Sequence, residues 1–341
     1  MLSKEKKINN LFYYWLVTSL ALVFSIIIVG GLTRLTNSGL SIIEWELFSG
    51  IFPPMNNNSW SLYFEKYKTI PQYKLVNFNM NLNEFKIIFL WEYFHRLLAR
   101  FIGLFFLIPL IFFYFSKNIK KEYLNICLLI LSLIFFQGII GWYMVKSGII
   151  HNVTVSHYRL SIHLITAIFI ISIIFWLLLN IYKKKNKSFF NFKKVYLPYQ
   201  ILIMIIFLQI IIGAFVSGLD AGMVYQTWPL MGSSFYPNDL LINGLSDVLN
   251  FNSHSLVQFY HRNLAYLIIF YVLYLTLKIY KNKIKILYKS INILLFVLIS
   301  QICLGIFTLT SGLNIFLASA HQITSVLLVF SAINLYYLIT K

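Results

Sequence analysis

Long apolar runs recur along the whole chain, at roughly 11–30, 87–115, 122–145, 157–182, 197–217, 255–277, 290–310 and 317–339. Each is long enough to cross a ~30 Å hydrocarbon layer as a helix. Barrel strands are excluded, because they alternate over ~10 residues instead of running unbroken. With 59% hydrophobic and 11% charged residues, an ordinary soluble domain is excluded too. The fold class is an all-α polytopic membrane protein with eight transmembrane helices, and the lipid bilayer is its first partner.

The net charge of +18 suggests a nucleic-acid binder only until the cations are placed. Lys4, Lys6 and Lys7 precede the first run, and Lys117, Lys120 and Lys121 follow the second. Lys183, Lys184, Lys185, Lys187, Lys193 and Lys194 follow the fourth, Lys278, Lys281, Lys283, Lys285 and Lys289 follow the sixth, and Lys341 ends the chain. With eight spans all of these fall on one side. The opposite loops hold only Arg34, Lys66, Lys68, Lys74, Lys86 and Lys146. This is the positive-inside bias, so both termini are expected to be cytoplasmic and no nucleic-acid partner is expected. The first run lacks a small-residue cleavage site and an Arg- and Ser-rich transit peptide is absent, which favours a bacterial inner membrane. Cys127 and Cys303 sit in separate spans without CxxC spacing and are expected to be buried, unpaired thiols.

The chain also repeats itself. Trp91–Arg100 (WEYFHRLLAR) aligns with Val257–Tyr266 (VQFYHRNLAY), and the segment around His163 aligns with that around His321. A second element closes the odd-numbered spans: Gln137 to Gly141, Gln209 to Gly213 and Gln301 to Gly305, with Gly30-Gly31 a degenerate copy in the first. Small residues there allow close helix approach. Four spans per half return the chain to its starting side, so the halves share an orientation. The expectation is two pseudo-symmetric four-helix bundles, residues 1–190 and 191–341, joined by the Lys-rich loop near 183–196.

His95, His163, His261 and His321 lie in the second, fourth, sixth and eighth spans, near their outer ends. A lone intramembrane histidine is commonly a packing or proton-path residue. Four in duplicated contexts favour metal ligation, and a haem iron takes axial nitrogens on both faces from two facing helices. Pairing His95 with His163 and His261 with His321 gives one site per half. Zinc fits poorly, because it gathers four ligands at one point. His151, His157 and His254 read as interfacial. Arg96, Arg159 and Arg262 flank the ligands; a guanidinium suits haem propionates, and an i,i+4 ion pair of Glu92 with Arg96 explains the same spacing. Glu92 lies one turn before His95, whereas its counterpart before His261 is the neutral Gln258. A carboxylate in hydrocarbon is expensive, so the first half reads as reactive and the second as a sequestered cofactor site. Glu92 is then a general base, an anion stabilising a developing cation, or the charge partner of Arg96.

The sequence resembles the haem A synthase family, in the form shared by alphaproteobacteria and mitochondria, over nearly its whole length. The carriers are Gly31-Leu32-Thr33-Arg34-Leu35-Thr36, Ser38 to Trp45, Glu65-Lys66-Tyr67-Lys68, Pro71-Gln72-Tyr73, Glu84-Phe85-Lys86, Glu92 to Arg96, Tyr158-Arg159-Leu160 with His163, Gly218 to Gly222, and Thr227 to Met231. Gln226 and Gly232 depart from the usual Asn and acidic residue, and the paired loop cysteines of the Bacillus-type branch are absent from 31–85. The resemblance implies oxidation of the C8 methyl of haem O to the formyl group of haem A, for terminal oxidase biogenesis. It implies that His95 and His163, with Arg96 and Arg159, hold the substrate haem and that Glu92 is essential. It implies further that His261 and His321, with Arg262, hold a haem b cofactor that relays electrons, and that haem O synthase and cytochrome oxidase assembly factors are partners. The outer loop 31–85 reads either as a lid over the first site or as an interfacial segment. Two other functions remain open: a di-haem b-type cytochrome that only carries electrons, and a haem delivery chaperone for oxidase assembly.

Overall fold

The computed structural model describes residues 2–44, 49–117, 119–151, 153–242 and 244–340. Trp45 and Lys341, and the side chains of Lys4, Lys6, Lys7 and His151, lie outside the described residues. Eight helices are long and apolar enough to span a membrane, and among the described residues no strand forms. In chain order the helices are α1 (Leu2–Leu35), α2 (Asn57–Lys68), α3 (Pro71–Leu75), α4 (Leu82–Ser116), α5 (Lys121–His151), α6 (His157–Tyr182), α7 (Leu197–Gly218), α8 (Leu245–Val248), α9 (His254–Lys281), α10 (Tyr288–Thr310) and α11 (Ile315–Ile339). All but α2, α3 and α8 are spans. The chain clusters into two compact units, Met1–Leu177 and Leu178–Lys341.

In the first unit α1 packs along α4, and α4 along α5. The α1–α4 seam solves a backbone problem. Pro109 inside α4 has no N–H to give to the carbonyl of Phe105. An unpaired carbonyl in hydrocarbon costs several kcal/mol, and the Trp15 indole N–H of α1 donates to it at 3.0 Å. The ring itself packs on Phe106, 4.7 Å between centroids. Trp15→Phe keeps most of that packing and removes only the donor. It is expected to destabilise the unit by about 1–2 kcal/mol, read as a lower midpoint of thermal unfolding in detergent.

At 35 residues α4 is about 52 Å long, more than a membrane needs. It begins before the apolar run because Asn81 and Glu84 form a capping box and its first turns have an extramembrane partner. Trp60, Tyr63, Phe64 and Tyr67 recur at helical spacing on α2 and pack on Phe85, Phe89 and Tyr93 of α4. The loop is therefore a small helical cap. Tyr67 is completely buried; its hydroxyl donates to Gln72 Oε1 at 3.0 Å and accepts from Asn77 Nδ2 at 2.7 Å. Gln72 in turn donates to the carbonyl of Asn37 at 3.1 Å, fastening the cap to the end of α1.

In the second unit α7 packs against α9 and α11, and α10 against α11. The Lys-rich segment is stitched into this unit. Lys187 Nζ reaches the carbonyls of Tyr337 and Thr340 at the C-terminus of α11, where a cation complements the helix dipole. Burial and then the neighbouring Lys185 push its amine below the ordinary lysine range. Cys127 is buried and free as expected, but Cys303 corrects the sequence reading: it is free and exposed, on the outer face of α10.

Candidate functional site: two histidine pairs

Each unit brings together one of the expected pairs. His95 of α4 and His163 of α6 have ring centroids 6.4 Å apart at 60°. His261 of α9 and His321 of α11 are likewise 6.4 Å apart, at 76°. Among the described residues no three His, Cys, Asp or Glu side chains gather, so the donor sets are imidazole pairs. A metal held this way takes its remaining ligands from elsewhere, as iron does from a porphyrin.

The spacing fits such a group. Axial nitrogens about 2 Å either side of an iron, with each ring centroid about 1.1 Å further out, would put coaxial imidazole centroids about 6.2 Å apart. Buried donor atoms fit as well: Nδ1 of His163 and Nδ1 of His261 have no hydrogen-bond partner. His321 Nδ1 lies 3.1 Å from the Gln301 carbonyl, which can only accept. That bond fixes the tautomer and leaves Nε2 with the lone pair a metal needs.

The repeated Gln and Gly element builds these pairs. A Cβ on Gly30 would sit 3.2 Å from His95 Nε2, and one on Gly141, Gly213 or Gly305 would sit 3.1, 3.0 or 2.9 Å from Cε1 of His163, His261 or His321. Each histidine ring thus occupies the space that a side chain on the preceding span would fill. Four residues earlier, Gln137 Nε2 donates to the His163 carbonyl at 2.8 Å and Gln209 Nε2 to the His261 carbonyl at 3.0 Å. Gln301 Nε2 lies 3.4 Å from His321 Nε2. The sequence showed the repeat, but close helix approach was the role assigned to it; its service to the histidines was missed.

The carboxylate and the arginines are arranged around the outer loops. Glu92 is 2% exposed. Its Oε1 accepts from Arg96 Nη2 at 2.6 Å and Nε at 3.0 Å, and its Oε2 accepts from Ser41 Oγ at 2.7 Å and the Ile42 N–H at 2.9 Å. Arg96 Nη2 also donates to the Ile42 carbonyl at 2.8 Å. The i,i+4 ion pair is therefore present, and it clamps the start of the cap to α4. Gln258 and Arg262 do the same without a charge pair: both donate to the Tyr225 carbonyl at 2.9 Å, and Arg262 Nη1 to the Thr227 carbonyl at 2.9 Å. Arg159 lies against α5, bonded to Ser147 Oγ with its guanidinium 4.7 Å from the Tyr143 ring centroid. His157, first residue of α6, is buried with its ring 4.1 Å from that of Tyr158, and His254 is exposed at the first residue of α9.

The second outer loop has one further anchor. Asp239 accepts from Tyr225 Oη and, at 2.6 Å, from Ser255 Oγ of α9. Partial burial pushes the Asp239 carboxyl up, but the two hydroxyl donors outweigh it and hold the group below the ordinary carboxylate range. A depressed carboxyl contributes stability that is complete above its unfolded value and is lost as pH falls through the folded one. Protease cleavage within 225–250 is therefore expected to accelerate below about pH 4, and in Asp239→Asn at neutral pH.

The fold and the two pairs define a multi-pass helical membrane protein with two bis-imidazole sites. Residues 13–333 match the family model of COX15-CtaA, the cytochrome oxidase assembly proteins, and the chain belongs to that family. The Heme A synthase of Pelagibacter ubique is 49% identical over 327 residues, 95% of either chain. That of Rickettsia canadensis is 40% identical over 338 residues, 97% of this chain and 98% of its own. That of Flavobacterium psychrophilum is 39% identical over 322 residues, 93% and 94% of the two.

Proposed function

We propose that this chain is a haem A synthase, which oxidises the C8 methyl group of haem O to a formyl group in a bacterial inner membrane, both termini cytoplasmic. The observation that carries the reading is the inequality of two otherwise matched sites. Both histidine pairs have the same 6.4 Å spacing, yet only the first has a buried carboxylate one turn from a ligand.

In this reading the N-terminal half, residues 1–190, holds the substrate. His95 and His163 bind haem O, and the glycine contacts at Gly30 and Gly141 set where the rings stand. Glu92 supplies a fixed negative charge beside the substrate. Its four hydrogen bonds orient it, and taking up a proton would break at least one of them, which favours stabilisation of positive charge over proton shuttling. Arg96 and Arg159 line the outer side, where substrate carboxylates meet guanidinium donors. The cap over α4 keeps water from the reacting end.

The C-terminal half, residues 191–341, holds haem b between His261 and His321, with Arg262 fixing the loop above it. Haem b, when bound, supplies a one-electron carrier. Gln258 in place of a carboxylate suits a site that does no acid–base work. Haem O synthase and oxidase assembly factors are the expected partners in supply and delivery.

The test is extraction and chromatography of the haems in protein purified from cells that make haem O. Haem B together with haem O, haem A or a hydroxylated intermediate is expected. Haem B alone would sink the synthase reading and favour an electron-carrying cytochrome.

A further inference from the structure

Between α4 and α5, on the inner side of the first histidine pair, lies an apolar groove of about 220 Å³ lined by Leu107, Leu110, Ile111 and Tyr114 of α4 and by Leu128 and Leu131 of α5. It begins about 18 Å along α4 from His95 and about 15 Å along α5 from Gly141, the glycine against His163. Two glycines carry the same helix faces back toward the histidines, Gly103 one turn before Leu107 and Gly138 two turns after Leu131. A glycine inside a helix costs about 1 kcal/mol against alanine. Neither of these serves close packing, because a Cβ on either would meet nothing within 4 Å. The second half fills the matching path. By the same alignment Ile269 stands for Gly103 and Ile302 for Gly138. The counterpart of Tyr114 is Tyr280, which stacks on Tyr288 of α10 at 4.3 Å and donates to Asn292 Oδ1 at 3.1 Å, where the first half has Leu124 and Leu128.

We propose that the α4–α5 groove, entered past Gly103 and Gly138, seats the isoprenoid tail of the substrate haem. This rests on the assignment of the first pair to haem O. Haem O carries a farnesyl tail that haem b lacks, so only one half needs the groove, and only one half leaves it open. Extended, the tail reaches about 20 Å from the iron, into the groove. Tail and propionates leave opposite edges of the porphyrin, so propionates facing Arg96 and Arg159 on the outer side send the tail inward along the spans. Two axial imidazoles fix the iron but leave the ring free to turn about their axis. A seated tail stops that rotation and decides which methyl group stands beside Glu92. The bilayer solvates the tail as well as leucine does, so the groove selects by packing and shape.

The test compares haem O with haem B, which has no tail, as ligands of the first pair. Wild type, Gly103→Ile/Gly138→Ile and Leu128→Asn, each full-length with haem B already at the second pair, are titrated with either haem in detergent. Low-spin absorption reports binding, and conversion to haem A is measured in parallel. Wild type is expected to bind haem O about tenfold tighter than haem B, the scale on which a shaped apolar pocket discriminates. Gly103→Ile/Gly138→Ile is expected to abolish that preference and leave haem B affinity unchanged. Leu128→Asn gives Tyr114 the partner that Tyr280 has, about 20 Å from the level of the rings, and is expected to weaken the preference without touching the histidines. Wild-type preference in both variants would overturn the proposal and leave the groove to a bilayer lipid, as would equal weakening of both haems. A preference for haem O that the variants abolish, with no haem A formed by wild type, would overturn the synthase reading and leave this one standing.

Discussion

Glu92→Gln is expected to yield a folded protein with both haems bound that makes no haem A, a loss of conversion of at least about a hundredfold. Glu92→Ala is expected to fail earlier, at the level of the fold. The alanine strands Arg96 without its carboxylate, leaves the buried Ile42 N–H without an acceptor and leaves Ser41 Oγ only its 3.3 Å bond to the Ile88 carbonyl. Breaking such a pair costs about 3–5 kcal/mol, enough to release the cap from α4. The glutamine keeps the loop in place, because its carbonyl oxygen still accepts from Ser41 Oγ and the Ile42 N–H, while Arg96 loses the carboxylate and keeps its bond to the Ile42 carbonyl. The second half shows the arrangement working: Gln258 and Arg262 hold their loop through backbone carbonyls with no charge pair at all. The two variants therefore separate the structural work of Glu92 from the chemical work. Conversion and haem content are measured on the same preparations, with thermal midpoints alongside. Wild-type conversion in Glu92→Gln with both haems in place would show that the negative charge is not needed, and Glu92 would then be a loop clamp only.

The extent to which this was legible in the sequence follows the physical origin of each feature. Spans are set by apolar length, so all eight could be read, and the histidine pairs followed from duplicated contexts. The cap helix α2 was readable and was passed over: Trp60, Tyr63, Phe64 and Tyr67 fall at i, i+3, i+4 and i+7, a helical stripe, inside a segment treated as loop. The early start of α4 was written in Asn81 and Glu84, a capping-box pair. The use of the arginines was legible only in part. The Glu92–Arg96 pair was legible from its i,i+4 spacing, but the further bonds of Arg96 to the Ile42 carbonyl and of Arg262 to the carbonyls of Tyr225 and Thr227 were not, because a carbonyl has no sequence signature. The glutamines lie between these cases. Their spacing from glycine was visible, but their targets sit on the next span, and only the packing of α5 on α6, α7 on α9 and α10 on α11 joins them.

That packing makes the glycines the most sensitive positions after the histidines themselves. Alanine at Gly305 would place its Cβ 2.9 Å from His321 Cε1, closer than such atoms approach. The ring has nowhere to slide, since its Nδ1 is bonded to the backbone of the same helix that carries the intruding methyl. Gly305→Ala is therefore expected to push His321 off the axis and empty the second pair, halving the haem content per chain with loss of the low-spin absorption of that site. The contacts relax in the order Gly305, Gly213, Gly141 and Gly30, from 2.9 to 3.2 Å, and the effect of alanine is expected to fall in the same order. A pyridine haemochrome assay on the four variants checks the ranking, and equal haem content in all four would refute it. Gly305→Ala also tests the division of labour between the sites. It leaves His95, His163 and Glu92 untouched, so substrate haem is expected to remain bound while conversion falls about as far as in Glu92→Gln. The electrons withdrawn at the first pair would then lack the carrier that the second pair is proposed to hold.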